Sequence, residues 1–196
     1  MIFPGMKNTN IVHIGNYVEI GERVKIEGFK GEELHLSIGN NVKIGDDARI
    51  IASGHVTLAD NVTLHNHVSI LGGGGCTIGK GTWVAQYTML DATGELEIGW
   101  DCCIGYNCQI WSHLRRVPQL PDYQMKFKNK YDKTILRDRV WLMGGMISVS
   151  PGVIIEEDCI ILTNSVVTKS TLPGLVYGGV PARLIYKYNK EDEDYV

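Results

Sequence analysis

Large aliphatic residues recur at every sixth position, in runs of three, with glycine and polar residues filling most of the intervals. The runs are Ile14, Ile20, Ile26; Ile38, Ile44, Ile50; Leu58, Leu64, Ile70; Ile78, Val84, Leu90; and Ile98, Ile104, Ile110. Extra residues enter only after the third member of each run. Four positions after the aliphatic stands a small or β-branched residue, as in Val18, Val24, Val42, Ala48, Val62, Val68, Thr82 and Thr88. In a strand, successive side chains alternate between faces. The aliphatic therefore points inward from a short strand, and the small residue fills the interior at the next corner. Glycine after the aliphatic suits a corner, where backbone torsions closed to other residues are needed. One such coil cannot bury its own apolar face, whereas stacked coils bury a continuous column. The pattern predicts an all-β, three-sided parallel β-helix of roughly seven coils, with every insertion leaving from one corner.

The repeat resumes at Leu136, Leu142, Val149, Ile155, Ile161 and Val167. The step from Leu142 to Val149 is one residue too long and predicts a bulge. The whole chain, 1–196, reads as a single domain. Residues 11–172 form the β-helix, interrupted by an excursion loop at 112–134. Residues 173–190, including the run from Ala182 to Lys187, close the column. Residues 191–196, which include Glu191 to Asp194, form a solvated acidic tail.

Composition narrows the function. With 196 residues and 44% hydrophobic content the chain has enough apolar mass for one real core. A net charge of -3 without a basic stripe argues against a nucleic-acid partner. No apolar run reaches membrane-spanning length and no signal pattern opens the chain, so a cytoplasmic location is expected. Cys102, Cys108 and Cys159 fall in the small interior slot and read as core. Cys76 falls at a glycine-rich corner and Cys103 points outward. None has metal-ligand spacing, so no metal is expected.

The excursion between Ile110 and Leu136 is far longer than coil closure requires, and long loops on regular scaffolds carry function. His113 stands at its root, held by the coil yet free to face solvent, where an imidazole can serve as a general base.

Several motifs now carry a resemblance. The hexapeptide repeat, His113, Val140-Trp141-Leu142, Pro151-Gly152-Val153, the run from Asn164 to Lys169 and the run from Gly178 to Arg183 are similar to those of the hexapeptide-repeat acyltransferases. The resemblance covers roughly residues 11 to 187. It implies a left-handed hand for the β-helix, a homotrimer with sites at subunit interfaces, and acetyl-CoA as donor. It further implies that His113 is the catalytic base, and that Trp141, Gly144, Gly145, Thr163, Thr168, Lys169 and Arg183 line the donor's path. Lys187 is a further candidate beside the CoA phosphates. Backbone N–H groups of Gly144 and Gly145 are candidates for holding the tetrahedral oxyanion.

Candidate acceptor residues follow from stacking. Leu90 lies one coil below Ile110, which sets Asp91 and Thr93 beneath Trp111 and His113. Asp91 either orients the imidazole or binds a sugar hydroxyl. Gln86 lies one face away. Arg115 and Arg116 suit an anionic acceptor. The expected activity is transfer of acetyl to a hydroxyl of a saccharide or related small acceptor. The alternatives are transfer to the amine of an amino sugar or sugar nucleotide, and a non-catalytic β-helix scaffold. A metal-dependent β-helix enzyme would need converging histidines, but His65 and His67 belong to the second face and His113 follows a third-face aliphatic.

Overall fold

The computed structural model describes residues 6–7, 9–116 and 128–187. The acidic tail, the tip of the excursion at 117–127 and residues 188–190 lie outside these, as do the side chains of Arg115, Arg116 and Lys187.

Three sheets of seven, nine and eight strands form the faces of a solenoid of about eight turns, all parallel except the antiparallel ninth strand that closes the second sheet. This is one turn more than the repeat predicts, because Met6–Lys7 pairs beneath Ile26 and starts the third face early. The architecture is consistent with the left-handed β-helix.

The six-residue periodicity becomes vertical register. On the first face Ile14, Ile38, Leu58, Ile78, Ile98, Leu136 and Ile155 stack in order. On the second, Ile20, Ile44, Leu64, Val84, Ile104, Leu142 and Ile161 stack. On the third, Ile26, Ile50, Ile70, Leu90, Ile110, Val149 and Val167 stack. From Ile26 upward the inner members are almost wholly buried, each burial contributing about 1.5–3 kcal/mol. In the lowest coil Ile14 remains exposed and Ile20 half-buried.

Cys102, Cys108 and Cys159 are buried in the shaft and all five cysteines are free. Cys76 departs from its expected corner position. It opens the first-face strand Cys76–Ile78 and is buried, and burial pushes its thiol up to about 12.

The three corners differ. The first and second are tight turns repeated in every coil. The third carries the insertions. The extra residue between Leu142 and Val149 is absorbed at the second corner, where Gly144, Gly145 and Met146 take φ of 86°, 69° and 68° in succession. The strands on either side keep register, Leu142 with Ile104 and Val149 with Ile110. The left-handed region is open to glycine at little cost, so two glycines let the corner swell without disturbing the sheets.

The excursion is more ordered at its root than a loop. His113–Arg116 and Lys128–Tyr131 pair as an antiparallel ribbon, with His113 opposite Tyr131 and Arg115 opposite Asn129. At the top, Leu175–Gly178 joins the second face and Arg183–Lys187 folds back antiparallel beside it. No helix among the described residues is long and apolar enough to cross a membrane.

Candidate active site

Asp91 ends a third-face strand one coil below His113 and is buried, with the side chain 6% exposed. Its Oδ1 accepts the Thr93 N–H at 3.2 Å and the Thr93 hydroxyl at 2.5 Å. Its Oδ2 accepts the Ser112 N–H at 2.8 Å, the Ser112 hydroxyl at 3.1 Å and the His113 N–H at 3.0 Å. The same oxygen lies 2.7 Å from His113 Nδ1. Burial alone would raise the Asp91 pKa. The hydrogen bonds from Thr93, His113 and Ser112 outweigh it and hold the carboxyl below its ordinary value.

An ionised carboxylate only accepts. His113 Nδ1 must therefore carry its proton toward Asp91, which leaves the Nε2 lone pair on the opposite side of the ring. The His113 side chain is 32% exposed, enough for a reactant to reach it. Trp111 meets the ring edge-on at 6.4 Å between centroids, and Tyr131 lies nearly parallel to it at 6.5 Å and 26°. The chemistry this permits is proton abstraction by Nε2, with the imidazolium stabilised by the carboxylate beneath.

Local bonds fix this geometry. Ser112 is fully buried, and its hydroxyl also accepts the Gly94 N–H at 2.8 Å, joining two coils. Thr134, on the strand that returns from the excursion, donates its hydroxyl to the Trp111 carbonyl at 2.6 Å and accepts the Gly152 N–H at 3.0 Å. The Asp132 N–H donates to the Ser112 carbonyl at 2.9 Å, tying the two arms of the excursion together at their base.

The other candidates are distributed. Asp91 lies against His113, with both of its oxygens engaged by groups of the chain. Gln86 is at the second corner, a different edge of the column from His113. Trp141 is 49% exposed on the second face, in one outward row with Trp83 and Cys103. Gly144, Gly145 and Thr163 sit at the second corner. The Gly145 N–H donates to the Tyr106 carbonyl at 3.0 Å, and the Gly144 backbone faces the buried Cys108 thiol. The Gly145 N–H is thereby engaged within the chain.

Thr168 and Lys169 stand exposed at the third corner of the last turn. Lys169 and Arg183 line a cavity of about 220 Å³ with Ser170, Tyr177 and Leu184. Arg115, Arg116 and Lys187 are placed by their backbone in the ribbon and the closing strand. Within one chain, then, the column assembles His113, Asp91, Thr93, Ser112 and Tyr131, and separates them from Gln86, Trp141, Gly144, Gly145 and Thr163. No group of three or more His, Cys, Asp or Glu suited to a metal occurs among the described residues.

The repeat does not single out Ser112 or Tyr131. Thr93 had a local signal, because Asp91-x-Thr93 has the spacing at which an Asp side chain caps the N–H two residues on. Ser112 and Tyr131 had none, since their roles depend on stacking and on the ribbon's register.

No family model matches the chain. The Escherichia coli (strain K12) protein WbbJ, provisionally named a lipopolysaccharide biosynthesis O-acetyl transferase, is 30% identical over 117 residues, 55% of this chain and 58% of its own. The chain spans about half the length of the curated relatives it matches, 58% and 47% for the first two. Among solved structures, the polySia specific acetyltransferase NeuO superposes with a TM-score of 0.68 at 19% identity, over 96% of this chain and 92% of that one. The hexapeptide-repeat containing acetyltransferase VCA0836 of Vibrio cholerae O1 biovar eltor, complexed with acetyl coenzyme A, gives 0.52 at 18% identity, over 91% and 72%. At these identities the structural likeness establishes the fold. The relatives and neighbours are hexapeptide-repeat acetyltransferases.

Proposed function

We propose that this chain is an acetyl-CoA-dependent acetyltransferase that moves an acetyl group to a hydroxyl of a saccharide or related small acceptor, with His113 as general base. The observation that carries this reading is the His113–Asp91 pair: a buried, ionised carboxylate fixes the Nδ1 tautomer and leaves Nε2 open at the excursion's root. The named activities of WbbJ, NeuO and VCA0836, and the acetyl coenzyme A in the last, agree with it.

In the proposed reaction Nε2 takes the proton from the acceptor hydroxyl. The acceptor oxygen attacks the thioester carbonyl, forming a tetrahedral intermediate. The C–S bond then breaks, the acetyl group stays on the acceptor oxygen, and the CoA thiolate leaves with the proton held by the imidazolium. Asp91 keeps the ring oriented and offsets its transient charge. Neither a covalent enzyme intermediate nor a metal is needed for the balance.

Lys169 and Arg183, two cations on one cavity, suit the distal phosphates of the donor. Thr168 and Lys187 lie near in sequence to these and belong to the same donor end. Trp141, Gly144, Gly145, Thr163 and Gln86 sit on other edges of the column. We assign them to the wall that a neighbouring copy presents to His113, which makes the working unit a homotrimer with three shared sites.

The test is complementation. The His113→Ala and Trp141→Ala chains are each assayed alone with labelled acetyl-CoA and a saccharide panel, then after being unfolded and refolded as a mixture. Activity recovered only in the mixture supports a site shared between copies. Full transfer by His113→Ala alone sinks the reading. An increase in melting temperature with acetyl-CoA is expected of a ligand that binds only the native state.

A further inference from the structure

The first corner of the column carries a cavity that the proposed transfer does not use. At this corner the residue two places after the first-face aliphatic usually serves the scaffold. Asn40, Asp60 and Asp138 stand there, and each caps the N–H of its counterpart one coil below, in Asn16, Asn40 and Trp100. Two consecutive coils depart from this. Lys80 and Trp100 occupy the same place, and neither side chain can accept a hydrogen bond. Among the described residues no side chain caps the Asp60 or Lys80 N–H. The scaffold gives up a bond at two levels, and both of the side chains responsible line one open cavity of about 600 Å³. Gly79, Gly99, Asp101 and Asp138 complete the lining.

Trp100 is 43% exposed, yet its ring is held in place. The Arg139 guanidinium, from the coil above, lies 4.6 Å from the ring centroid and is itself locked to Asp158 by bonds of 2.7 and 2.8 Å. Arg139 takes no part in the lining, which Lys80 reaches from the coil below, so the indole turns its uncovered side to the cavity. Gly81 makes room for the neighbouring carboxylate, since a Cβ there would run into Asp101 Oδ1. Among the described residues no ion pair engages Lys80 or Asp101, Asp138 uses only its Oδ1, and the indole N–H has no acceptor.

We propose that this cavity binds a neutral saccharide, with Trp100 as its platform, Asp101 and Asp138 accepting from its hydroxyls, and Lys80 donating to its oxygens. The class follows from the charges. Two carboxylates disfavour an anion, and the ammonium disfavours a cation. A neutral polyol needs both donors and acceptors, and its C–H face needs a flat apolar surface, which an indole supplies. The site is separate from the reacting one. His113 stands at the third corner, and the wall proposed for the neighbouring copy lies on the second face and second corner. Binding here requires neither acetyl-CoA nor transfer, so it goes beyond the proposed function and is tested independently of it.

The experiment titrates the full-length protein, without acetyl-CoA, with neutral hexasaccharides of glucose, galactose and mannose, read by calorimetry and saturation-transfer NMR. A polyuronide hexamer and a chitosan hexamer are the charged arms. At least one neutral hexasaccharide is expected to bind. Trp100→Asn restores the kind of residue that Asn40 is, and should weaken that binding about tenfold or more while the melting temperature is kept or raised. Lys80→Ala removes one donor and should weaken it about two- to tenfold. Tyr17→Ala, which removes another exposed aromatic of the same corner, leaves it unchanged. His113→Ala binds as the wild type does.

Absence of binding by every neutral hexasaccharide, or binding that Trp100→Asn leaves intact, overturns the site. Equal losses from Trp100→Asn and Tyr17→Ala overturn it as well, because the contact would then be unspecific. Tighter binding of either charged hexamer overturns the assigned class. Loss of binding in His113→Ala moves the sugar to the reacting centre and overturns the inference. None of these outcomes bears on acetyl transfer, which the complementation assay decides.

Discussion

Aspartate does two different jobs in this column, and the difference separates scaffold from site. At the first and second corners Asp60, Asp138 and Asp46 each reach down one coil. Asp60 accepts the Asn40 N–H at 2.7 Å, Asp138 the Trp100 N–H at 3.1 Å, and Asp46 the Glu22 N–H at 2.7 Å. All three are partly exposed, and the contact is repeated by asparagines, with Asn40 capping Asn16 at 2.9 Å and Asn66 capping Asp46 at 3.1 Å. The charge is therefore incidental at these corners. At the third corner Asp91 is buried and collects donors from its own turn and from the coil above, including the imidazole. There the charge is the purpose, because a neutral amide could not receive so many donors at one oxygen.

The comparison predicts a steep gradient of effects. The largest is expected from His113→Ala, which removes the base while the column stays intact. Acetyl transfer should fall by about 10²–10⁴-fold with an unchanged circular dichroism spectrum. Asp91→Asn comes next and touches both activity and stability. An amide N–H₂ in place of either oxygen would face donors, leaving buried groups unpaired at a cost of about 1–3 kcal/mol, and the imidazole would lose its fixed tautomer. Activity should fall about 10²-fold or more, and urea unfolding should report the lost stability.

Acid makes the same contrast visible. The folded Asp91 pKa is depressed, so its contribution is complete above the unfolded value of about 4 and is lost as pH falls through the lower folded value. Melting curves across that acid range should lose this component in Asp91→Asn. If the variant keeps the wild-type pH profile, the carboxylate is not the held charge described here.

Gly39→Ala addresses the scaffold corner. A Cβ there would approach the Asp60 backbone nitrogen to 2.6 Å and the Ala59 carbonyl carbon to 2.8 Å. Neither is free to move within the stack, so about 1–3 kcal/mol of stability should be lost with normal activity per folded molecule. The smallest effect belongs to Asp60→Ala, about 0.5–1.5 kcal/mol for the two partly exposed hydrogen bonds it accepts from Asn40, and no change in kcat/KM. A loss of activity there as large as at Asp91 would erase the distinction between the two kinds of corner.

Much of the column was legible in the chain because every coil solves the same packing problem. Ile38, Ile44 and Ile50 announce three inward strands, and the misplaced Val149 announces the swollen corner at Gly144 to Met146. The site was legible only in part. His113 and Asp91 could be stacked one above the other by counting, but the burial of Asp91 depends on Ser112 above it and on the excursion's returning arm. Neither belongs to the repeat. Trp141, Gly144 and Thr163 were expected on the donor's path with His113, yet in a single chain they occupy other edges. A periodic pattern gives the address of each residue on one column and says nothing of a second column laid against it. Cys76 was misread for a simpler reason: four glycines before it, Gly72 to Gly75, stretched the corner and hid where the strand resumes.

Thr134 has a longer reach than its single hydroxyl suggests. By gripping the chain where it departs at Trp111 and where the next coil passes at Gly152, it makes the foot of the ribbon a fixed mounting. Whatever is fitted beyond that mounting can be lengthened, shortened or recharged over generations without shifting the imidazole below. On the proposed transferase reading, a new choice of acceptor then becomes a matter of refitting the ribbon, with the His113–Asp91 pair unchanged.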